Sequence, residues 1–385
     1  MQLRRRLEIS SIVALALSAA WSARASDIIV TRYDDPIPGT CSAASCSLRE
    51  AVLLANQDTA LDTILLSAGT YTLTIAGTDD DAHAGDLDLT QDVQILGAGA
   101  TMTRVDGGGI DRVFEVVGST TNAVLEDLTI QGGAGVQGAG ILVDRGTATI
   151  NRCEIRDNTS PPGEPGAGIT AELFASVVVR KSTIAGNSAG AIAANQSSIE
   201  LDDVTVDGNA LAIQLQATGG GSVTCTQCTI VPPSGIGAVQ SSGTGSTVSF
   251  GNSIVIGSCF LGSGGVVTSN DGNLESPGDT CGFTQVNDQT GVATLHLALG
   301  NLTDNGGPTR TRSPGATSFA LDQAATPGCL STDQRGLARP VDGDGIPGAL
   351  CDVGAVEAST ERPDTPIFDD GLEQGSAGAW SVVKN

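Results

Sequence analysis

Short apolar anchors recur along the middle of the chain. β-Branched residues stand at Ile130, Ile155, Ile184, Val206, Ile230 and Ile254, separated by 25, 29, 22, 24 and 24 residues. Three residues after consecutive anchors come Asn158, Asn187 and Asn209. A second apolar row runs through Ile150, Val179, Leu201 and Cys225, with Phe250 one place out of phase. A third is marked by Gly140-Ile141, Gly168-Ile169, Ala191-Ile192, Ala212-Ile213 and Gly237-Ala238. Each repeat thus holds three short strands, alternating as in Ser198-Ile199-Glu200-Leu201-Asp202 or continuous as in Val177-Val178-Val179, parted by Gly, Asn, Asp and Ser turns. Three strands in 22 to 29 residues is the period of a parallel β-helix, whose coils stack about 4.8 Å apart. Equivalent residues then form ladders, and a recurring turn Asn bonds its counterpart in the next coil. The dense L-x-x-L-x-L frame of a leucine-rich solenoid and the G-G-x-G-x-D nonapeptide are both missing.

Less regular strands extend the pattern upstream at Thr63–Leu66, Tyr71–Ile75, Asp86–Leu89, Val93–Leu96, Arg112–Val117 and Val124–Leu128. An open solenoid exposes core and strand edges, so both ends need covers. Ser47-Leu48-Arg49-Glu50 reads as a capping box, with Leu48, Ala51, Val52 and Ala55 on one face of a helix over about residues 48 to 56. The predicted fold is all-β: a right-handed parallel β-helix with a short N-terminal capping helix and an irregular C-terminal cap. The expected divisions are a signal peptide (1–25), an N-terminal cap (26–61), the β-helix (62–275), a C-terminal cap (276–358), and a linker and tail (359–385).

Export follows from the first residues. Arg4, Arg5 and Arg6 precede an apolar stretch from Ile9 to Trp21, and Ala23-Arg24-Ala25 supplies an A-x-A cleavage site. The stretch is too short to span a bilayer, and no later segment is apolar enough. The expected location is secreted or cell-surface. Removing the signal leaves 15 basic and 42 acidic residues, a formal charge of −27. That surface repels nucleic acid and anionic lipid, and repels uronate polymers unless a cation bridges them. Nine cysteines are compatible with disulfides outside the cell. Cys41/Cys46, Cys225/Cys228, Cys259/Cys281 and Cys329/Cys351 are the near pairs, leaving Cys153 over; spacing alone does not settle the connectivity.

The run Cys46-Ser47-Leu48-Arg49-Glu50-Ala51-Val52 resembles the signature of the CSLREA domain of bacterial exported proteins. Further motifs resemble the C-terminal region of choice-of-anchor Q proteins: Leu299-Gly300 with Asp304-Asn305-Gly306-Gly307-Pro308-Thr309, then Ala320-Leu321-Asp322, Thr332-Asp333-Gln334-Arg335-Gly336, Arg339-Pro340 and Cys351 to Glu357. The resemblance implies a pectin-lyase-like β-helix, exported and often surface-associated, with no shared catalytic residues. The chain departs from it at Arg310-Thr311-Arg312, where members often place a His. Ile367 to Glu373, ending in Ala379-Trp380-Ser381, resembles a short tail on other exported bacterial proteins and reads equally as a docking segment or a frayed end.

Enzymes of this fold class need convergent acids and bases. Asp202-Asp203 sit side by side, but neighbours on a strand face opposite ways. His83 and His296 both fall outside the regular coils. A Ca²⁺-dependent lyase arrangement has candidates in Asp202 and Asp207 with Arg180 or Lys181 on neighbouring coils; the plainer reading is a solvated charged face. Sugar clefts favour aromatic platforms, yet Tyr33, Tyr71 and Trp380, the mature part's Trp and Tyr, lie outside the repeats. Asp342-Gly343-Asp344-Gly345 invites a Ca²⁺ reading, but the twelfth position of an EF-hand would be Val353, leaving only a looser site with Asp352. Cys225-Thr226-Gln227-Cys228 lacks a second C-x-x-C for zinc and reads as a local disulfide or two packed thiols. The expectation is a non-catalytic extracellular β-helix, adhesin-like or structural, with an unidentified carbohydrate or protein ligand, no nucleic acid, no membrane span, and no cofactor, Ca²⁺ being the one candidate. The alternative is a polysaccharide lyase or glycoside hydrolase.

Overall fold

The computed structural model describes residues 25–161, 164, 166–210 and 213–358; the signal-peptide stretch 1–24 and the tail 359–385 lie outside the described residues. The chain winds through three parallel sheets. The first has ten strands, from Asp27–Ile29 to Val266–Ser269; the second nine, from Gly69–Thr72 to Leu274–Ser276; the third eight, from Leu87–Leu89 to Cys259–Leu261. Each strand pairs with its equivalent one coil on, which makes a right-handed parallel β-helix with two short helices. No helix of the described residues is long and apolar enough to cross a membrane.

Side-chain alternation fills the interior. On the first sheet Ala148, Val177, Ile199, Val223 and Val248 stack in one inward row and Ile150, Val179, Leu201, Cys225 and Phe250 in the next. Phe250 is in phase after all: it lies opposite Cys225, and the anchor beyond it is Val255, opposite Ile230. Ile254 instead faces outward opposite Thr229, and it is buried because the C-terminal chain covers it. The third row also shifts. Ile141, Ile169 and Ile192 stack as expected, but Leu215 and Val239 continue the row rather than Ile213 and Ala238. The inward position falls two residues later than expected in the first of these coils and one later in the second, because the connection before the strand is longer than the motif suggested.

One corner explains several residues. Asp127, Arg152, Lys181, Asp203, Gln227 and Asn252 occupy the left-handed region in successive coils, with φ from 48° to 58°. Each bends the chain from the first sheet into the second. The next residue then points inward, giving a buried row of Leu128, Cys153, Ser182, Val204, Cys228 and Ser253. Hence Cys225 and Cys228 are both interior residues of different rows. They carry free thiols, as Cys153 does, and the expected disulfide alternative for that pair gives way to packed thiols. Cys41–Cys46, Cys259–Cys281 and Cys329–Cys351 are disulfides. At the next turn the asparagine ladder forms: the Oδ1 of Asn187 accepts the backbone N–H of Asn158 at 3.0 Å, and Asn209 does the same for Asn187. The Nδ2 groups continue it, 158 to 187 at 3.0 Å and 187 to 209 at 2.8 Å, and Gln214 ends it.

The helix Leu48–Ala55 closes the first coil with its capping box formed: Ser47 Oγ accepts from Glu50 N, and Glu50 accepts from Ser47 N. Arg49 is wholly buried. It pairs with Asp35 at 2.8 Å and donates to the carbonyls of Ala82, Gly85 and Asp86. At the other end the C-terminal region divides. Residues 277–289 plug the last coil: Phe283 packs edge-on against Phe250 with centroids 5.7 Å apart, Cys281 is bonded to Cys259, and Glu275 accepts the N–H groups of Thr280 and Cys281. Residues 290–358 do not cap. They run back along the outer face of the second sheet as a strap reaching Glu154, where Arg310 pairs at 3.0 Å. The outward Thr row explains the attachment. Gln334 accepts from Thr205 at 2.6 Å, and its amide nitrogen lies within reach of the Ser182 carbonyl and the hydroxyls of Thr183 and Thr309. Arg339, fully buried, joins Asp203 to Glu357 at 3.4 and 3.0 Å.

Candidate functional site

Where, in this fold, do acids and bases converge? The first-sheet candidates do not. Arg180 and Asp202 are opposite each other on paired strands, 3.1 Å apart, and Glu200 lies 3.6 Å from the same guanidinium. Asp207 belongs to the second sheet and is held by Arg312 of the strap at 2.8 Å. Lys181 is a corner residue whose carbonyl accepts from Thr309. The expected cluster therefore splits across a corner, and its acids are already paired. Asp202 and Asp203 diverge, the first half-buried at the surface and the second buried against Arg339; burial pushes the Asp203 carboxyl up to about 7, against the pull of Arg339. His83 is exposed beside Asp81, and His296 stacks on Phe319.

The C-terminal acidic loop also regroups. Asp342 and Asp344 approach Asp322, not Asp352. Asp352 is wholly buried and accepts the N–H groups of Asp322 and Ala358; burial, with Glu357 beside it, raises it to about 7. In the Asp322 group the carboxylates serve as turn acceptors, Asp322 alone taking the N–H groups of Gly343, Asp344 and Leu350.

A third group was missed. Asp88 faces outward from the strand Leu87–Leu89, and Asp86 precedes that strand on the same side. The next coil pairs Glu115 directly opposite Asp88. One oxygen from each of the three lies within 4.8 Å of the others. Arg112 bonds Asp86 at 3.0 Å and Glu115 at 2.5 Å, while Asp88 Oδ2 accepts the Ala82 N–H at 2.8 Å. Asp86 and Asp88 are buried under the loop that Arg49 fastens, and Glu115 keeps 12% of its side chain exposed. Burial, reinforced by Asp86, pushes the Asp88 carboxyl up to about 8; burial likewise raises Asp86 and Glu115, against Arg112. Arg112 also lines a cavity of about 590 Å³ together with Asp79, Asp80, Asp111, Val136 and Thr159. On the following strands Asp144 and Glu172 lie opposite each other, two positions along from the row of Glu115, and Asp144 helps burial raise Glu172. The signal was present in Asp86-Leu87-Asp88, whose alternation puts two carboxylates on one face. What the sequence hid was the register to Glu115, because the early coils keep no even spacing.

The family description of a right-handed β-helix region matches residues 114–280, less than half of the chain. Among solved structures the chain is similar to the pectate lyase Pel9A, with a TM-score of 0.51, 11% identity, and coverage of 88% of this chain and 97% of that one. The likeness is one of fold. ORF18 of Geobacillus virus E2 is also similar, at a TM-score of 0.34 and 12% identity over 69% of this chain and 61% of that one. No curated protein matches in sequence.

Proposed function

We propose that the chain is a non-catalytic, exported β-helix that presents its surface for binding, in an adhesin-like or matrix role. The observation that carries this reading is the outer face of the first sheet. Short polar side chains stand there in register, such as Asn122, Thr147, Ser176, Ser198 and Ser222, and its bases are engaged by acids, Arg180 by Glu200 and Asp202 and the corner residue Arg152 by Glu126 and Asp127. Such a face offers regular hydrogen-bonding rows to a carbohydrate or protein and no free base beside an acid. The signal-like N-terminus, the resemblance to CSLREA and choice-of-anchor Q proteins, and three disulfides support a place outside the cell.

A second reading, a polysaccharide lyase or hydrolase, is favoured by the cavity that Arg112 shares with Asp111, Asp79 and Asp80 and by the fold likeness to a pectate lyase. Turnover by the purified mature protein on acidic and neutral polysaccharides, with Ca²⁺ and with chelator, separates the two. The first reading expects no unsaturated or reducing-end products; products that disappear in Arg112→Ala or Asp202→Asn would overturn it.

A further inference from the structure

We infer that Asp86, Asp88 and Glu115 form a binding site for one divalent cation of the hard, oxygen-preferring class, with Ca²⁺ the best fit. This goes beyond either reading of the protein's role and depends on neither. The spacing comes first. Calcium–oxygen bonds are about 2.3–2.6 Å, so ligands around one ion lie within about 5 Å of each other. One oxygen from each of the three carboxylates meets that limit, all within 4.8 Å.

The second observation is independent of the clustering. Asp88 is fully buried, and its Oδ1 has no hydrogen-bond partner among the described residues. Its other oxygen, Oδ2, is held by the Ala82 N–H, so within a residue that belongs to the carboxylate group one buried oxygen is left without a partner. Buried carboxylate oxygens without partners are costly, and a metal ion is one of the few groups that answers the cost. Asp86 and Glu115 each accept from Arg112 through one oxygen. Three carboxyl groups share one guanidinium, so a dication that takes the place of their protons has negative charge to offset.

The supports are rigid. Asp88 and Glu115 face each other on hydrogen-bonded strands, and Arg49 holds the covering loop through the carbonyls of Ala82, Gly85 and Asp86. An all-oxygen set favours a hard cation over a soft one, and Ca²⁺ accepts flexible oxygen geometry where Mg²⁺ demands a near-ideal octahedron. The Asp322–Asp342–Asp344 group has no such orphan among the described residues.

The test uses the mature chain stripped with chelator, then titrated with Ca²⁺ by calorimetry and by equilibrium dialysis. One Ca²⁺ per chain is expected, raising the unfolding temperature. Asp88→Asn and Glu115→Gln should each weaken uptake at least tenfold, while Asp342→Asn with Asp344→Asn leaves it unchanged. Glu115 is partly exposed, so Glu115→Gln decides the matter if Asp88→Asn fails to fold by circular dichroism. No uptake by the wild type at millimolar Ca²⁺, full affinity in Glu115→Gln, or loss confined to the Asp342/Asp344 variant would each overturn the site.

Discussion

Asn187→Ala tests whether the asparagine ladder is a structural element. The Asn187 side chain is fully buried and makes four contacts: its Oδ1 accepts the Asn158 N–H and Nδ2 at 3.0 Å each, and its Nδ2 reaches the Ile155 carbonyl at 3.2 Å and Asn209 Oδ1 at 2.8 Å. Alanine removes them all and leaves the Asn158 N–H in the interior without an acceptor. An orphaned buried polar group costs about 1–3 kcal/mol, and the lost packing adds to it, so a total of about 2–4 kcal/mol is expected. At a slope of about 3 kcal/mol per molar urea, that is a midpoint shift of roughly 1 M. Asn187→Asp should cost more, since it keeps the acceptor for Asn158 but sets a charged oxygen against Asn209 Oδ1 and the Ile155 carbonyl. Ser198→Ala, on the exposed first sheet, serves as the control and should stay within about 0.5 kcal/mol. The assay is urea denaturation followed by circular dichroism, comparing slopes as well as midpoints, because coils that contact only neighbours need not unfold together. An Asn187→Ala midpoint equal to that of Ser198→Ala would refute the reasoning.

Mild acid should stabilise the fold. Burial raises Asp203, which faces Arg339, Asp333, Lys181 and Asp202, and Asp352, which faces Glu357 and Asp322, both to about 7. These carboxyls keep a proton in the folded state that the unfolded chain releases above about 4, so stability falls as pH rises from about 4 to 7. Urea midpoints should be higher at pH 5 than at pH 7.5, with the difference reduced in Asp203→Asn and Asp352→Asn; equal midpoints in the wild type would contradict this. Gln334→Ala should loosen the strap while leaving the coils wound, seen as faster proteolysis within residues 290–358 at unchanged circular dichroism; unchanged cleavage would show that Gln334 does not hold it. Cys153, Cys225 and Cys228 are buried, so a thiol reagent should find none in the native protein and three after denaturation without reductant. Rapid native labelling would refute that burial. Cys259→Ser with Cys281→Ser should lower stability by about 3 kcal/mol, the loop-closure value for a bridge of this span, and should free the plug that carries Phe283; an unchanged urea midpoint would show that Phe283 and Glu275 hold the plug unaided.

The solenoid was legible because its inward rows repeat: Ile150 to Leu201 and Ile130 to Ile230 read in phase from spacing alone. The capping box at Ser47 and Glu50 was legible because it is local. Two kinds of information were not. Ile254 was read as inward because it is apolar, when the strap makes an outward position dry; no pattern within the repeat records a cover arriving from far along the chain. The C-terminal motif was visible as a string, but its part in holding the strap to the second sheet, through Gln334, Arg339 and Glu357, is a matter of contacts more than 100 residues apart. The carboxylate triad needed coil register in the irregular early turns, which spacing there does not supply.

The strap also acts as a ruler. Solenoids ordinarily change length by gaining or losing a coil, since each coil needs only its neighbours. Here Arg310 must meet Glu154, Ala325 must meet Asn252, Gln334 must meet Thr205 and Ala355 must meet Thr229, four coils tied together by one covalent segment that doubles back among them. An extra coil anywhere between Glu154 and Asn252 displaces part of that set by about 4.8 Å, more than any of these bonds can stretch. The number of turns between those points is thereby locked, and a coil is more easily gained or lost before Glu154.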